Sequence, residues 1–178
     1  MAFRRSSRIV SLVFFCGCHL LRDECHGGAA MILSLVAQLL QQVPSHIVPL
    51  DPGMPLDAIG SGDIQHLCRL FVHLMRQLPP GMTVFCLIDG IDVYEREEYF
   101  QGMAEVVRFL LALVKEGNQA PGGRFKLLLT SPNTTLIVRK EFDPEPETLL
   151  HLAGLPRAGG LGMVRLHEQL GLEVEDRR

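Results

Sequence analysis

Thr83-Val-Phe-Cys-Leu-Ile-Asp89-Gly-Ile-Asp92 is an apolar run that ends abruptly in an acid, then a glycine, then a second acid three residues after the first. A strand that is apolar on both faces belongs in a parallel sheet rather than on a surface. Its C-terminal end then lies at the edge where open α/β sheets bind ligands, and here that end carries two carboxylates. The stretch predicts a central strand of an α/β fold with a candidate site at Asp89 and Asp92.

The flanking sequence alternates between strand and helix patterns. Residues 9–16, Ile-Val-Ser-Leu-Val-Phe-Phe-Cys, read as a first buried strand, and 17–28 as a loop. Residues 29–42 read as a helix, with Ile32, Leu35, Val36, Leu39 and Val43 at helical spacing and Pro44 stopping it. Residues 43–62 hold four prolines and three glycines and read as a loop or linker. Ser61 or Asp63 caps the next helix, whose stripe is Ile64, Leu67, Phe71, Leu74 and Leu78, and Pro79-Pro-Gly81 ends it. A third helix over 99–115 has Met103, Val106, Val107, Leu110 and Val114 on its inner face. Residues 125–130 form a third strand, ended by Ser131-Pro132. The pattern of 134–140 leaves helix and strand open. An acidic turn over 143–147 precedes a short fourth strand over 148–152 and a loop over 153–162.

Strands alternating with helices predict an α/β fold: a mostly parallel sheet of about four strands flanked by helices on both faces. The domain is expected over 1–162, with a weakly helical, frayed tail over 163–178.

At 178 residues one domain is the default, and 47% apolar with 21% charged content is ordinary for a globular chain. A net charge of −3 does not point to nucleic acid or to an anionic membrane, and the absence of Trp argues against a base-stacking surface. Five cysteines, at 16, 18, 25, 68 and 86, are an odd number, and Cys68 and Cys86 fall in apolar periodic segments. That pattern fits a reduced, cytoplasmic protein with thiols as small core hydrophobes. Arg4, Arg5 and Arg8 before the apolar run 9–18 imitate a secretory leader, but Arg22-Asp-Glu24 stands where a small-residue cleavage site belongs. The run also falls short of the roughly 20 apolar residues of a membrane span. A buried strand is the better reading, and a small secreted Cys-containing protein the weakest alternative.

Asp89 suits a hydrated Mg²⁺, which takes few carboxylates and keeps several waters. Asp92 suits polarising an attacking water, and Gly90 is read with Asp89 as cofactor-binding. Thr130 and Ser131 end the next parallel strand, so their hydroxyls are expected beside Asp89 as sensors of a phosphate or its water. The competing reading is a strand-end acid and a hydroxyl pair that satisfy backbone groups. Cys16, Cys18, His19, Cys25 and His26 carry zinc-ligand chemistry, but their spacing departs from paired zinc cysteines. Glu95, Glu97 and Glu98 read as a solvated helix start. No Ser/His/Asp or Cys/His arrangement follows from chain order alone.

Together these pieces resemble the NTPase module of STAND-type proteins, the NACHT-like group abundant in fungi. Residues 13–16 resemble the strand after the P-loop helix, and 29–40 the helix that follows. Phe85-Cys-Leu-Ile-Asp89-Gly-Ile-Asp92 resembles Walker B, and Lys126-Leu-Leu-Leu-Thr130-Ser131-Pro132 the sensor strand. The resemblance spans roughly 9–132. It implies ATP or GTP with Mg²⁺ held through water by Asp89, and nucleotide-controlled self-association or binding of protein partners, with neither nucleic acid nor membrane involved.

Two departures stand against it. No Gly-x-x-x-x-Gly-Lys-Ser/Thr occurs, and Pro132 stands where many relatives have Arg. The P-loop's backbone N–H groups and Lys supply most of the phosphate-binding energy, so no appreciable ATPase activity is expected from these residues by themselves. The family places the P-loop strand centrally, next to the sensor strand. A truncated or mis-started chain is therefore expected, with residues 148–152 pairing beside 125–129 or an open, sticky edge there. The alternative class is a non-enzymatic interaction module.

Overall fold

The computed structural model describes residues 9–20, 26–43, 55–116 and 123–142. All of them lie in the first of two units into which the chain divides, Met1–Pro144 and Glu145–Arg178. The strands are β1 (Ile9–Phe15), β2 (Thr83–Asp89) and β3 (Arg124–Leu129), and the helices α1 (Gly27–Gln42), α2 (Leu56–Gly60), α3 (Ile64–Gln77), α4 (Phe100–Glu116) and α5 (Ile137–Lys140).

The fold is α/β. The sheet is three-stranded in the order β1-β2-β3 and parallel throughout, with β2 in the middle. The fourth strand expected over 148–152 and the tail over 163–178 lie outside the described residues. The short helix α2 falls within the stretch read as loop, where a run of only five residues gives no periodic signal. Within the stretch 134–140, where the pattern leaves helix and strand open, α5 forms over Ile137–Lys140.

Register explains the core. Val10, Val84 and Phe125 form one row across the sheet, and Phe14, Ile88 and Leu129 another. The even positions of β1 and β2 are buried, and with them Phe125 on β3. Above them α1 packs on β1, α4 on β3, and α3 against both helices, with Phe71 of α3 edge-on to Phe125 at 5.8 Å. The expected inner face of α4 is buried at Met103, Val106, Val107 and Leu110, while Leu113 rather than Val114 completes it.

Helices on both faces were expected; among the described residues they cover one. Right-handed crossovers that step in one direction across a sheet put their helices on the same side, and β1 to β2 to β3 is such a progression. The other face exposes Ile9 (56%), Phe15 (49%), Phe85 (42%) and Leu128 (60%).

Two local devices fix this layout. Gly28 and Gly102 let α1 and α4 cross at backbone contact, since a Cβ on Gly28 would stand 2.3 Å from the Gly102 carbonyl. The outer edge of β1 is closed by side chains of α1. Gln38 accepts from Val13 N–H (2.9 Å) and donates to Val13 C=O (2.8 Å), and Gln42 does the same at Ser11 (3.2 and 2.8 Å). Each amide imitates one residue of a neighbouring strand, which blunts an edge that would otherwise recruit another chain. Asp63 caps α3 by accepting from His66 N–H at 2.9 Å, a bond that holds its carboxyl below the usual range. No helix among the described residues is long and apolar enough to cross a membrane.

Candidate functional site

At the C-terminal edge of the sheet, Asp89 ends β2 and Thr130 follows β3, so parallel pairing brings them together. The Thr130 hydroxyl donates to Asp89 Oδ1 at 2.5 Å and accepts from Gly90 N–H at 3.3 Å. The Thr130 carbonyl accepts from Ile91 N–H at 3.0 Å. Gly90 takes the left-handed conformation (φ +69°), which turns the chain sharply from β2 into a 3-10 helix, Ile91–Glu95. Asp89 is exposed; its Oδ1 accepts from Thr130, and among the described residues no donor reaches Oδ2.

Asp92 sits in the first turn of that 3-10 helix, half-buried. Its Oδ2 accepts from Asn133 Nδ2 at 2.6 Å. Its Oδ1 is buried and has no hydrogen-bond partner among the described residues. A buried carboxylate oxygen left so costs free energy unless something meets it, which makes it the unsatisfied atom of the site. Ser131 turns elsewhere, its hydroxyl donating to Asn133 C=O at 2.5 Å. The structure thus brings together Asp89, Gly90, Asp92 and Thr130, and keeps the Ser131 hydroxyl on its own turn.

Aromatic packing holds the turn from behind. Tyr94 is fully buried, stacks on Tyr99 (4.9 Å) and meets Phe14 edge-on (6.1 Å). Its hydroxyl donates to His19 C=O (2.7 Å) and accepts from Gly27 N–H (3.1 Å), tying the site turn to the end of β1 and the start of α1. His19 itself stacks on Phe14 at 4.7 Å. Cys16 lies beneath the two acids; burial first, then Asp89 and Asp92, push its thiol up to about 12, so it is no nucleophile at neutral pH. Among the described residues no group of three or more His, Cys, Asp or Glu side chains is placed to hold a metal, and Cys25 lies outside them.

Two residues of this corner escape sequence reading. Asn133 gives no motif of its own. Glu95 is not the solvated acid expected: it is half-buried, and its carboxylate accepts from the N–H groups of Leu136, Ile137 and Val138 at 2.7, 2.7 and 2.8 Å. Glu97 and Glu98 are exposed, as a solvated start requires.

The corner fits a hydrated divalent cation in its donor set: an exposed carboxylate with a free oxygen, and a second carboxylate with an unsatisfied buried oxygen three residues on. No phosphate cradle accompanies it among the described residues. A cavity of about 640 Å³ lies elsewhere, along α3 and α4, lined by His66, Arg69, Val72, Arg76, Glu105 and Phe109 among others. Compared with family models, with curated proteins and with solved structures, the chain has no match.

Proposed function

We propose that this chain carries the Walker B and sensor half of a STAND- or NACHT-like NTPase core, without appreciable ATPase activity by itself. One observation carries the reading: Asp89 and the Thr130 hydroxyl stand side by side at the C-terminal edge of adjacent parallel strands, with Asp92 on the turn above. In this reading Asp89 holds Mg²⁺ through water, Gly90 shapes the approach, Asp92 orients a water, and Thr130 senses the γ-phosphate. The Ser131 hydroxyl reaches a ligand only by leaving Asn133. ATP or GTP requires a phosphate cradle such as Gly-x-x-x-x-Gly-Lys-Ser/Thr, which the sequence lacks, so nucleotide is expected only where other sequence supplies it.

Mn²⁺ is the direct probe. Titrated into the ¹⁵N-labelled chain, it is expected to broaden the Gly90, Ile91 and Ser131 amides, and Asp89→Ala to abolish this. Broadening spread over Glu97 and Glu98 instead, or none at all, sinks the reading.

A second reading, a non-enzymatic interaction module, is favoured by the bare apolar face of Phe15, Phe85 and Leu128. Such a module self-associates or binds protein partners through that face. Phe85→Asp then abolishes association while Asp89→Ala leaves it intact; the reverse result excludes it.

A further inference from the structure

The acid that ends β2 and the two that follow it stand at 89, 92 and 95, and their donors begin at 130, 133 and 136, 41 residues on in each case. Asp89 ends the strand; Asp92 and Glu95 lie in the 3-10 helix that follows, which has about three residues per turn, so these two share one face. The segments leaving β2 and β3 are thereby zipped in register by three carboxylate rungs. The first is anchored by the sheet, because Thr130 N–H also donates to Ile88 C=O at 3.0 Å. The last grips backbone: Glu95 satisfies N–H groups at the start of α5 that the helix itself leaves unpaired. The middle rung joins two side chains, and Asn133 is on an exposed turn between the anchored ends.

We propose that Glu95 is a positioning residue for Asp92. By clamping 136–138 it keeps Asn133 within reach of Asp92 Oδ2, and so fixes where the unsatisfied Oδ1 points. The proposal rests on the preceding reading only in taking Asp92 as a functional group; the clamp needs neither cation nor nucleotide. It also implies an order along the ladder. Losing Glu95 frees the middle rung and spares the first, whereas losing Asn133 spares the last.

The test uses the ¹⁵N-labelled chain without added metal. A carboxylate bond moves one Asn133 Nδ2 proton downfield of its twin. In Glu95→Ala that splitting is expected to collapse to its value in Asp92→Ala. Amides 136–138 exchange at least about tenfold faster, while the Gly90 amide keeps its protection. Glu95→Gln keeps an acceptor oxygen and retains part of the splitting. Asn133→Ala leaves 136–138 protected. The decisive signal is the Asn133 side chain, which loss of a local cap would not move. An unchanged splitting in Glu95→Ala, or in Glu95→Gln should the alanine variant unfold, overturns the proposal. So does loss of 136–138 protection in Asn133→Ala. Failure of the Mn²⁺ experiment bears on the Walker B reading alone, since this one contains no cation.

Discussion

Adding one methyl group at the α1–α4 crossing separates two explanations for its glycines. A Cβ on Gly28 stands 2.3 Å from the Gly102 carbonyl carbon and oxygen, more than 1 Å inside the 3.4–4 Å of ordinary contact. The obstacle is backbone, so no rotamer change relieves it; the helices must part. Parting loosens the core to which α1 contributes Met31, Ile32 and Leu35 and α4 contributes Met103, Val106 and Val107, all buried. A radial gap of about 0.5–1 Å forfeits a quarter to a half of the dispersion well of each contact. Overpacking of this kind costs about 3 kcal/mol, the upper part of its usual range. Replacing glycine in a helix returns up to about 1 kcal/mol, and less at the first turn, where Gly28 lies.

Gly28→Ala is therefore expected to lose about 2–3 kcal/mol. Gly102→Ala shares the crossing but not the clash: its Cβ meets Ile64 Cδ1 at 3.0 Å, the end of a flexible side chain, and Gly28 Cα only at 3.5 Å. A rotamer adjustment of about 0.5–1.5 kcal/mol there offsets the propensity gain, leaving the variant near neutral. Urea unfolding followed by circular dichroism reads the difference. At a slope of about 1–3 kcal/mol per molar urea, Gly28→Ala unfolds roughly 1–2 M earlier than Gly102→Ala. Equal midpoints for the two variants would refute the backbone-contact argument.

Tyr94→Phe removes the hydroxyl that accepts from Gly27 N–H and donates to His19 C=O. A loss of about 1–3 kcal/mol is expected, read as a lower melting temperature. Gln38→Ala reopens the β1 edge at Val13, with a cost of about 1–2 kcal/mol and concentration-dependent association in sedimentation velocity; a strictly monomeric variant would argue against edge protection. Cys16, Cys68 and Cys86 are raised from 9.0 to about 12, chiefly by burial. The folded state thus disfavours their thiolates, and this stability is complete below pH 9 and is lost as pH rises from 9 toward 12. Urea midpoints should fall across that window, and iodoacetamide at pH 8 should label exposed Cys18 well before these three, as peptide mapping by mass spectrometry would show.

Legibility in the sequence follows the range of the interactions involved. The strands 9–15, 83–89 and 124–129 announce themselves by apolar runs, and α3 by its stripe of Leu67, Phe71 and Leu74, because burial imposes a period on consecutive residues. The juxtaposition of Asp89 and Thr130 is legible too, since parallel pairing puts the ends of adjacent strands side by side. Glu95 and Asn133 are not, because what matters is a match between two segments 41 residues apart, and neither segment is periodic by itself. The spacing of 92 and 95 is visible, but only the 3-10 helix puts the two acids on one face. Gln38 and Gln42 look like the polar face of a helix until the edge of β1 is placed beneath them. Gly28 and Gly102 carry no signal until two helices cross.

The strand that decides the fold also shows what the described residues leave undone. In β2, Val84, Cys86 and Ile88 face the helices and are buried, while Phe85 and Leu87 point to the other face, with Phe85 42% exposed. A strand meant to have one wet face alternates apolar with polar; this one is apolar on both, the pattern of a strand covered on both sides. β3 repeats the mismatch at Leu128, 60% exposed, and β1 at Phe15. Three strands in sequential order take all their crossover helices on one side, so this topology has no helix left for the second. In doubly wound sheets the strand order reverses, and the reversal sends helices to the opposite face. The composition of β2 is thus that of a strand covered on both faces, while the outer edge of β1 is occupied by Gln38 and Gln42. The two proposed functions thus draw on different features of one sheet: the first on the edge where Asp89 meets Thr130, the second on the apolar face exposed at Phe85 and Leu128.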